Sequence, residues 1–367
     1  MGSTPALLQE AVVGAVRGVS IPLSMLGVEA TRSMISAAGP AFASLPFNRR
    51  RLAKTRDRIA FAFPDWPADR VERTARRVWE HLGSIVAETV FTPRLMNADA
   101  WSGQVMTGDI GPAFREIMSG RPTVLVTGHL GNFDLAGTTM ALLGMPVHAL
   151  FRPLDSEPLD RWVRRTREAR GMRVVDKFGA LRDLPSLVSG GAVPTFVADQ
   201  NAGDRGLFVP FFGRLTSSYK SIALLAMRFG ASVAVGGAVR LPPDDPGFSG
   251  GGAGGRGFDR LGLRVELSDV FGPEEWSKHP DPVFYITARY RHSLELLIRR
   301  FPEQYFWMHN VWKSRPRHER LNRAVPGTLR NKLEALPWLG ESGASGIIEQ
   351  SRRDAEWLAA NGVARLP

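Results

Sequence analysis

The residues whose types and spacing could do chemistry lie in one run, Val124-Leu125-Val126-Thr127-Gly128-His129-Leu130-Gly131-Asn132-Phe133-Asp134. An apolar strand runs into a histidine bracketed by glycines, and a carboxylate follows at the mouth of a helix. Glycine lets the backbone turn sharply and leaves room for a substrate beside the ring. Asp134 is about one turn beyond His129, close enough to accept a hydrogen bond from Nδ1, which would fix the tautomer and leave Nε2 free to take a proton. An imidazole with an ordinary pKa suits general-base work near neutrality. A histidine beside a core often does no more than satisfy a hydrogen bond, and spacing alone does not separate the two cases. The strand-to-helix placement and the paired glycines favour chemistry.

The elements that must hold this pair alternate. Thr123 to Thr127 reads as a buried strand and Asp134 to Leu143 as a helix. Pro146–Phe151, Met172–Val175, Val193–Ala198 and Ser232–Val239 read as strands. Pro158–Arg170, Ala180–Val188 and Ser217–Phe229 read as helices between them. Such alternation predicts an α/β fold, a mostly parallel or mixed central sheet flanked by helices. Open sheets of this kind keep their sites where strand ends meet helix starts. Before this body, Arg50–Arg94 has helical periodicity. After it come a long amphipathic helix, Pro280–Phe301, and an Arg-rich tail expected to form two helices.

Residues 1–47 are apolar and rich in small residues, with Arg17, Glu29 and Arg32 breaking the run, and Arg49, Arg50, Arg51 and Lys54 follow. The uncharged stretch Ser33–Phe47 is shorter than the roughly 20 residues of a spanning helix. An apolar segment before a basic cluster reads as a helical anchor on an anionic membrane surface, although a buried helix before a solvated turn would look the same. Residues 48–316 form the expected catalytic body, with an insertion loop at 242–257, and 317–367 a helical appendage. That loop contains Gly252, Gly254 and Gly257 in dinucleotide-motif spacing. No strand leads into it and a strand pattern, not a helix, follows, so it reads as an insertion.

Composition narrows the chemistry. With 367 residues, 44% of them hydrophobic, the chain can bury a full core. The absence of cysteine removes disulfides, thiolate metal sites and a cysteine nucleophile. No G-x-S-x-G elbow surrounds any serine, which argues against a serine acyl-enzyme. The other six histidines, His81, His148, His279, His292, His309 and His318, show no ligand spacing, so neither metal nor cofactor is expected. The formal charge of +11 suits an anionic partner. No nucleic-acid module is recognisable, and nine Trp and twenty Phe against four Tyr lean toward an apolar or interfacial partner.

The run Gly128–Asp134 resembles the H-x4-D/E motif of the lysophospholipid acyltransferase superfamily. Further blocks are similar, in the same order, to its bacterial lipid A biosynthesis branch, the lauroyl/myristoyl acyltransferases. They are Phe151-Arg152-Pro153-Leu154 with Pro158-Leu159-Asp160, Lys177-Phe178-Gly179-Ala180-Leu181-Arg182, and Asp199-Gln200-Asn201-Ala202-Gly203 with Val209-Pro210-Phe211-Phe212-Gly213. A closing block spans Glu303 to His309 and ends in Lys313-Ser314-Arg315-Pro316. That branch usually carries glutamate where this chain has Asp134; aspartate is commoner among glycerolipid and phosphatidylinositol mannoside acyltransferases.

The resemblance implies direct transfer of a fatty-acyl group from an acyl-carrier-protein or acyl-CoA thioester to a glycolipid hydroxyl, at the cytoplasmic face of the bacterial inner membrane. His129 would be the base and Asp134 its partner. Arg152, and with it Lys177 and Arg182, would bind the anionic headgroup, a guanidinium gripping phosphate through two parallel hydrogen bonds. Asp199 and Gln200 would face the same cleft, Asp199 ordering the site or holding Arg152. Phe211 and Phe212 would wall the acyl channel or the core. Backbone amides at Gly128 or Gly131 are candidate donors to the oxyanion. Trp307, His309 and Arg315 carry no assigned role, and a packed helix is the plainer reading of them. A non-catalytic lipid-binding protein is the alternative of another class.

Overall fold

The computed structural model describes residues 25–154, 156–176, 180–242, 245 and 261–366, with 14, 18, 22 and 23 besides. Three helices open it: α1 (Val28–Ser44), α2 (Pro46–Ala62) and α3 (Ala68–Leu95). The first and third pack along each other so closely that a Cβ on Gly39 would stand 2.5 Å from the Trp79 carbonyl oxygen. Only glycine permits that approach. Among the described residues no helix is long and apolar enough to cross a membrane.

The body alternates as expected: β1 (Val105–Thr107), α4 (Gly111–Met118), β2 (Thr123–Thr127), α5 (Phe133–Leu142), β3 (Val147–Phe151), α6 (Glu157–Glu168), β4 (Arg173–Asp176), α7 (Ala180–Ser189) and β5 (Val193–Val197). After the hairpin β6 (Leu207–Phe211) and β7 (Arg214–Ser218) come α8 (Ser221–Phe229), β8 (Ser232–Arg240) and β9 (Leu263–Phe271). The chain ends with α9 (Pro273–Trp276), α10 (Pro282–Arg300), α11 (Arg317–Arg320), α12 (Gly327–Glu334) and α13 (Gly340–Asn361).

Seven strands form one sheet in the order β1-β9-β8-β2-β5-β3-β4, parallel throughout except between β8 and β9. The β-branched runs of β2 and β8 supply its buried centre, with Val124, Val126, Val233 and Val235 nearly inaccessible. This is the α/β fold with flanking helices that the alternation implies. Two details differ. Ser217 and Ser218, read as the start of a helix, close β7, where their buried side chains oppose Phe208 and Leu207. The tail forms three helices, because the short α11 precedes α12 and α13. The glycine motif of the 242–257 loop lies outside the described residues.

Candidate active site

The sheet brings the site together through the register of two neighbours. Parallel strands β2 and β5 pair Thr127 with Val197, so the residues two steps beyond each, His129 and Asp199, leave the sheet side by side. Asp199 Oδ1 lies 2.8 Å from His129 Nδ1, and its Oδ2 accepts the His129 backbone N–H at 3.1 Å. The carboxylate on Nδ1 is therefore Asp199 and not Asp134. Gln200 places its side-chain Nε2 3.3 Å from the other ring nitrogen, Nε2.

The loop carrying His129 is pinned from both sides. Gly131 accepts no substitute: its φ is +58°, and a Cβ there would lie 1.8 Å from the Ala238 carbonyl oxygen. Its amide donates to the Gln304 carbonyl at 2.9 Å, so this expected oxyanion donor is already engaged. The Phe306 amide donates to the His129 carbonyl at 3.0 Å, and Asn132 donates its backbone N–H to Ala238 at 2.8 Å. Asn132 also caps α5, accepting from the Leu135 amide, and donates Nδ2 to Glu88 at 2.8 Å. Glu88 is fully buried and paired with Arg240, which reaches His81 Nδ1 at 2.9 Å.

On the other strand, Arg291 of α10 is completely buried. It donates to the carbonyls of Asp199 at 2.6 Å and Gln200 at 3.0 Å, and to Ser218 Oγ at 2.8 Å. Arg58 of α2 similarly ties the 304–309 segment, donating to the Trp307 and Met308 carbonyls at 3.0 and 2.5 Å. None of these three anchors, buried Glu88 and Arg291 and the largely covered Arg240, lies in a sequence block that points to the site. Each is one charged residue in an element read only for its periodicity or strand pattern, and a buried ion that must find a partner is visible only once the fold is known.

Electrostatics follow from this arrangement. Burial disfavours the His129 imidazolium, but the charge and hydrogen bond of Asp199, with a smaller contribution from the charge of Asp134, outweigh it and raise its pKa. Burial likewise opposes the Asp199 carboxylate. The His129 charge and the two hydrogen bonds from His129, helped by Arg291, overcome that and hold its pKa down at about 2.

His129 and Gln200 line a cavity of about 870 Å3 at the carboxyl ends of the strands. Four cations, Arg152, Arg167, Lys220 and Arg228, share its wall with apolar residues such as Leu154, Leu184 and Leu224. A second, narrow apolar slot runs between α4, α5 and the sheet, past Ala113, Phe114, Ala136 and Met140. Phe133 lines both spaces, its ring edge-on to the His129 ring with centroids 5.0 Å apart.

The other expected residues separate. Asp134 sits in the first turn of α5 and is ion-paired with Arg167 at 2.7 Å. Arg182 is exposed and paired with Asp183, away from the cavity lining, and Lys177 lies outside the described residues. Phe211 and Phe212 are buried against Phe63 and Trp307 and line neither space, so they belong to the core and not to a channel. Trp307 and His309 lie in an irregular segment instead of a helix. Arg315 is buried in an ion network with Glu319 and Asp354. Among the described residues no three His, Asp or Glu side chains gather where a metal ion could bind.

The chain is 24% identical over 273 residues to the lipid A biosynthesis palmitoleoyltransferase of Escherichia coli (strain K12), covering 74% of this chain and 81% of that protein. It is equally similar, over the same shares, to the lipid A biosynthesis acyltransferase of Shigella flexneri. Residues 6–240 match the bacterial lipid A biosynthesis acyltransferases, and the chain, an acyltransferase, belongs to that family.

Proposed function

We propose that this enzyme transfers a fatty-acyl group from an acyl-carrier-protein thioester to a hydroxyl of a phosphorylated glycolipid, a lipid A precursor, with His129 as general base. One observation carries the reading: an imidazole oriented by Asp199 at 2.8 Å edges a cavity that mixes four cations with apolar walls. A reaction that joins a charged sugar to a greasy tail needs both kinds of surface at one base.

In the proposed step, Nε2 of His129 takes the proton of the acceptor hydroxyl as its oxygen attacks the thioester carbonyl carbon. Asp199 stabilises the imidazolium. The tetrahedral intermediate then expels the thiolate, which recovers the proton from His129, so the products are the ester and the free thiol. The Gln200 side-chain amide, beside Nε2, is suited to hydrogen-bond the developing oxyanion. The headgroup would occupy the cationic cavity and the acyl tail the slot behind Phe133. Exposed Met25, Leu26, Met34, Phe42 and Phe47, close in sequence to the exposed Arg49, Arg50 and Arg51, suit a seat on an anionic leaflet, at the cytoplasmic face of the inner membrane.

Purified protein incubated with acyl-carrier-protein thioester and a panel of glycolipids, read by mass spectrometry, tests this. The expected product is the phosphorylated acceptor heavier by one acyl chain, and His129→Ala abolishes it. Acylation only from acyl-CoA, or only onto a glycerolipid or an inositol mannoside, would redirect the assignment. Lipid binding that His129→Ala leaves intact, with no transfer by the wild type, would mark a carrier instead.

A further inference from the structure

Beyond β5 the chain leaves the active site and meets the segment that leads into α11. Gln200, beside His129 Nε2, is followed by Asn201, whose Nδ2 donates to Ser314 Oγ at 3.2 Å. Ser314 forms an antiparallel bridge with Arg365, and Arg365 is ion-paired with Asp204 at 3.2 Å. Asp204 also lies in the field of Arg320. These contacts gather five exposed cations on one surface: Arg205 next to Asp204, Lys313 next to Ser314, and Arg317, Arg320 and Arg323 on and just after α11. None of the five forms an ion pair among the described residues. Leu321, 46% exposed, sits among them. The helix beneath is fixed, because Arg315, Glu319 and His318 are buried against Asp354 and Ser351 of α13. Asn322, at φ +48°, turns the chain sharply after it, and the Arg323 amide donates back to the His318 carbonyl at 2.8 Å. Like charges held together on a rigid base repel one another, a cost that an anionic partner relieves.

We propose that this surface, built on α11 with Arg205 and Lys313, docks the acidic carrier protein whose thioester is brought to His129. Charge is the first argument: a rigid cluster of unpaired cations complements a strongly acidic protein, and steers its approach. The second is the scarcity of apolar anchors. A lipid leaflet is held by a stripe such as Met34, Phe42 and Leu45 on and just after α1, whereas this surface offers one leucine, enough for a small apolar contact at the centre of a protein interface. The third is reach. Arg205 follows Gln200 by five positions, which span at most about 18 Å of chain, a distance that an extended pantetheine arm covers. The assignment rests on the donor proposed above. It adds the place where the body of that donor sits, outside the cavity that His129 edges.

The test compares three full-length proteins: wild type, Arg317→Glu/Arg320→Glu/Arg323→Glu, and Arg317→Lys/Arg320→Lys/Arg323→Lys. Each is assayed with two donors of one chain length, a fatty-acyl carrier protein and the fatty-acyl pantetheine that lacks the protein body. Reversing three surface charges weakens the encounter, so the glutamate variant should raise KM for the carrier about tenfold or more. Its kcat at saturating carrier, and both constants with acyl pantetheine, should match the wild type. The lysine variant should stay close to wild type throughout. Added salt should raise the wild-type KM for the carrier and change that of the glutamate variant little. An unchanged KM for the carrier would overturn the proposal, and so would an equal loss with acyl pantetheine, which would place the effect in the reaction itself. Weaker binding to vesicles containing anionic lipid, with the carrier KM unchanged, would make the surface a membrane contact instead. Absence of transfer from either donor by the wild type would count against the proposed function. In that event, fluorescence anisotropy of labelled carrier protein still decides the docking surface: binding about tenfold weaker in the glutamate variant supports it, and equal or absent binding overturns it.

Discussion

If His129 is the general base proposed above, a neutral imidazole is its working form, and its raised pKa sets where that form exists. The rate kcat/KM should therefore climb with pH through an acid limb lying above the ordinary histidine value of about 6.5. In Asp199→Asn burial is left to dominate, so the limb should move to lower pH while kcat falls roughly 10²–10⁴-fold, the usual range for an impaired acid–base group. A pH–rate profile of both proteins checks this; a limb that stays in place would separate Asp199 from the base. Stability carries the matching signs. The raised His129 pKa contributes stability that is complete below the unfolded value and lost as pH rises through the folded one. The Asp199 pKa, held at about 2, contributes above the unfolded carboxylate value and fades as pH falls toward 2. The sequence singled out His129 but not the carboxylate that lies on its Nδ1. Five positions of spacing made Asp134 the near carboxylate, whereas the nearer one in space is 70 residues away. Adjacency of β2 and β5 turns that separation into contact, and strand order is not written in any single run of residues.

At the scale of elements, the strand–turn–helix unit from Thr123 to Leu142 was legible because β-branched residues, glycines and the Asn132 cap each favour the same local shape. The β6–β7 hairpin was less so. Its Ser217 and Ser218 are buried polar residues satisfied by Arg291 and by backbone carbonyls, a pairing that periodicity does not show. The turn after β2 offers a sharp test. Gly131→Ala would place a methyl against the Ala238 carbonyl and force a left-handed φ, which costs an L-residue about 1–2 kcal/mol before any clash. The loop must then leave β8 and the 304–306 segment. Expected outcomes are a loss of more than about 2 kcal/mol in denaturant unfolding and loss of acyl transfer. Wild-type activity in this variant would show that the loop is less constrained than its hydrogen bonds imply.

Across the whole molecule, charged residues do the joining. Arg315 is fully buried, bonded to Glu319, Asp354 and the Leu215 carbonyl, and so fastens α11 and α13 to β7. Arg214 reinforces the link through Asp354 at 2.9 Å. Arg315→Met should leave buried Glu319 without its cation and Asp354 with Arg214 alone, and cost about 3–5 kcal/mol in chemical unfolding; a change under about 1 kcal/mol would mean that water enters freely. The tail's own arginines, such as Arg317, Arg320 and Arg352, are exposed, and the arginine that clasps it is Arg315, just before it, whose burial no sequence pattern shows. The bracing of the His129 loop by residues 304–306, and of Asp199 by Arg291, has a consequence for biogenesis. A ribosome that has translated the first 240 residues has already made His129 and Asp199, but the braces from α10 and the segment after it are still missing. An unfinished chain should therefore transfer acyl groups poorly, and competence is expected late, with the last third of synthesis.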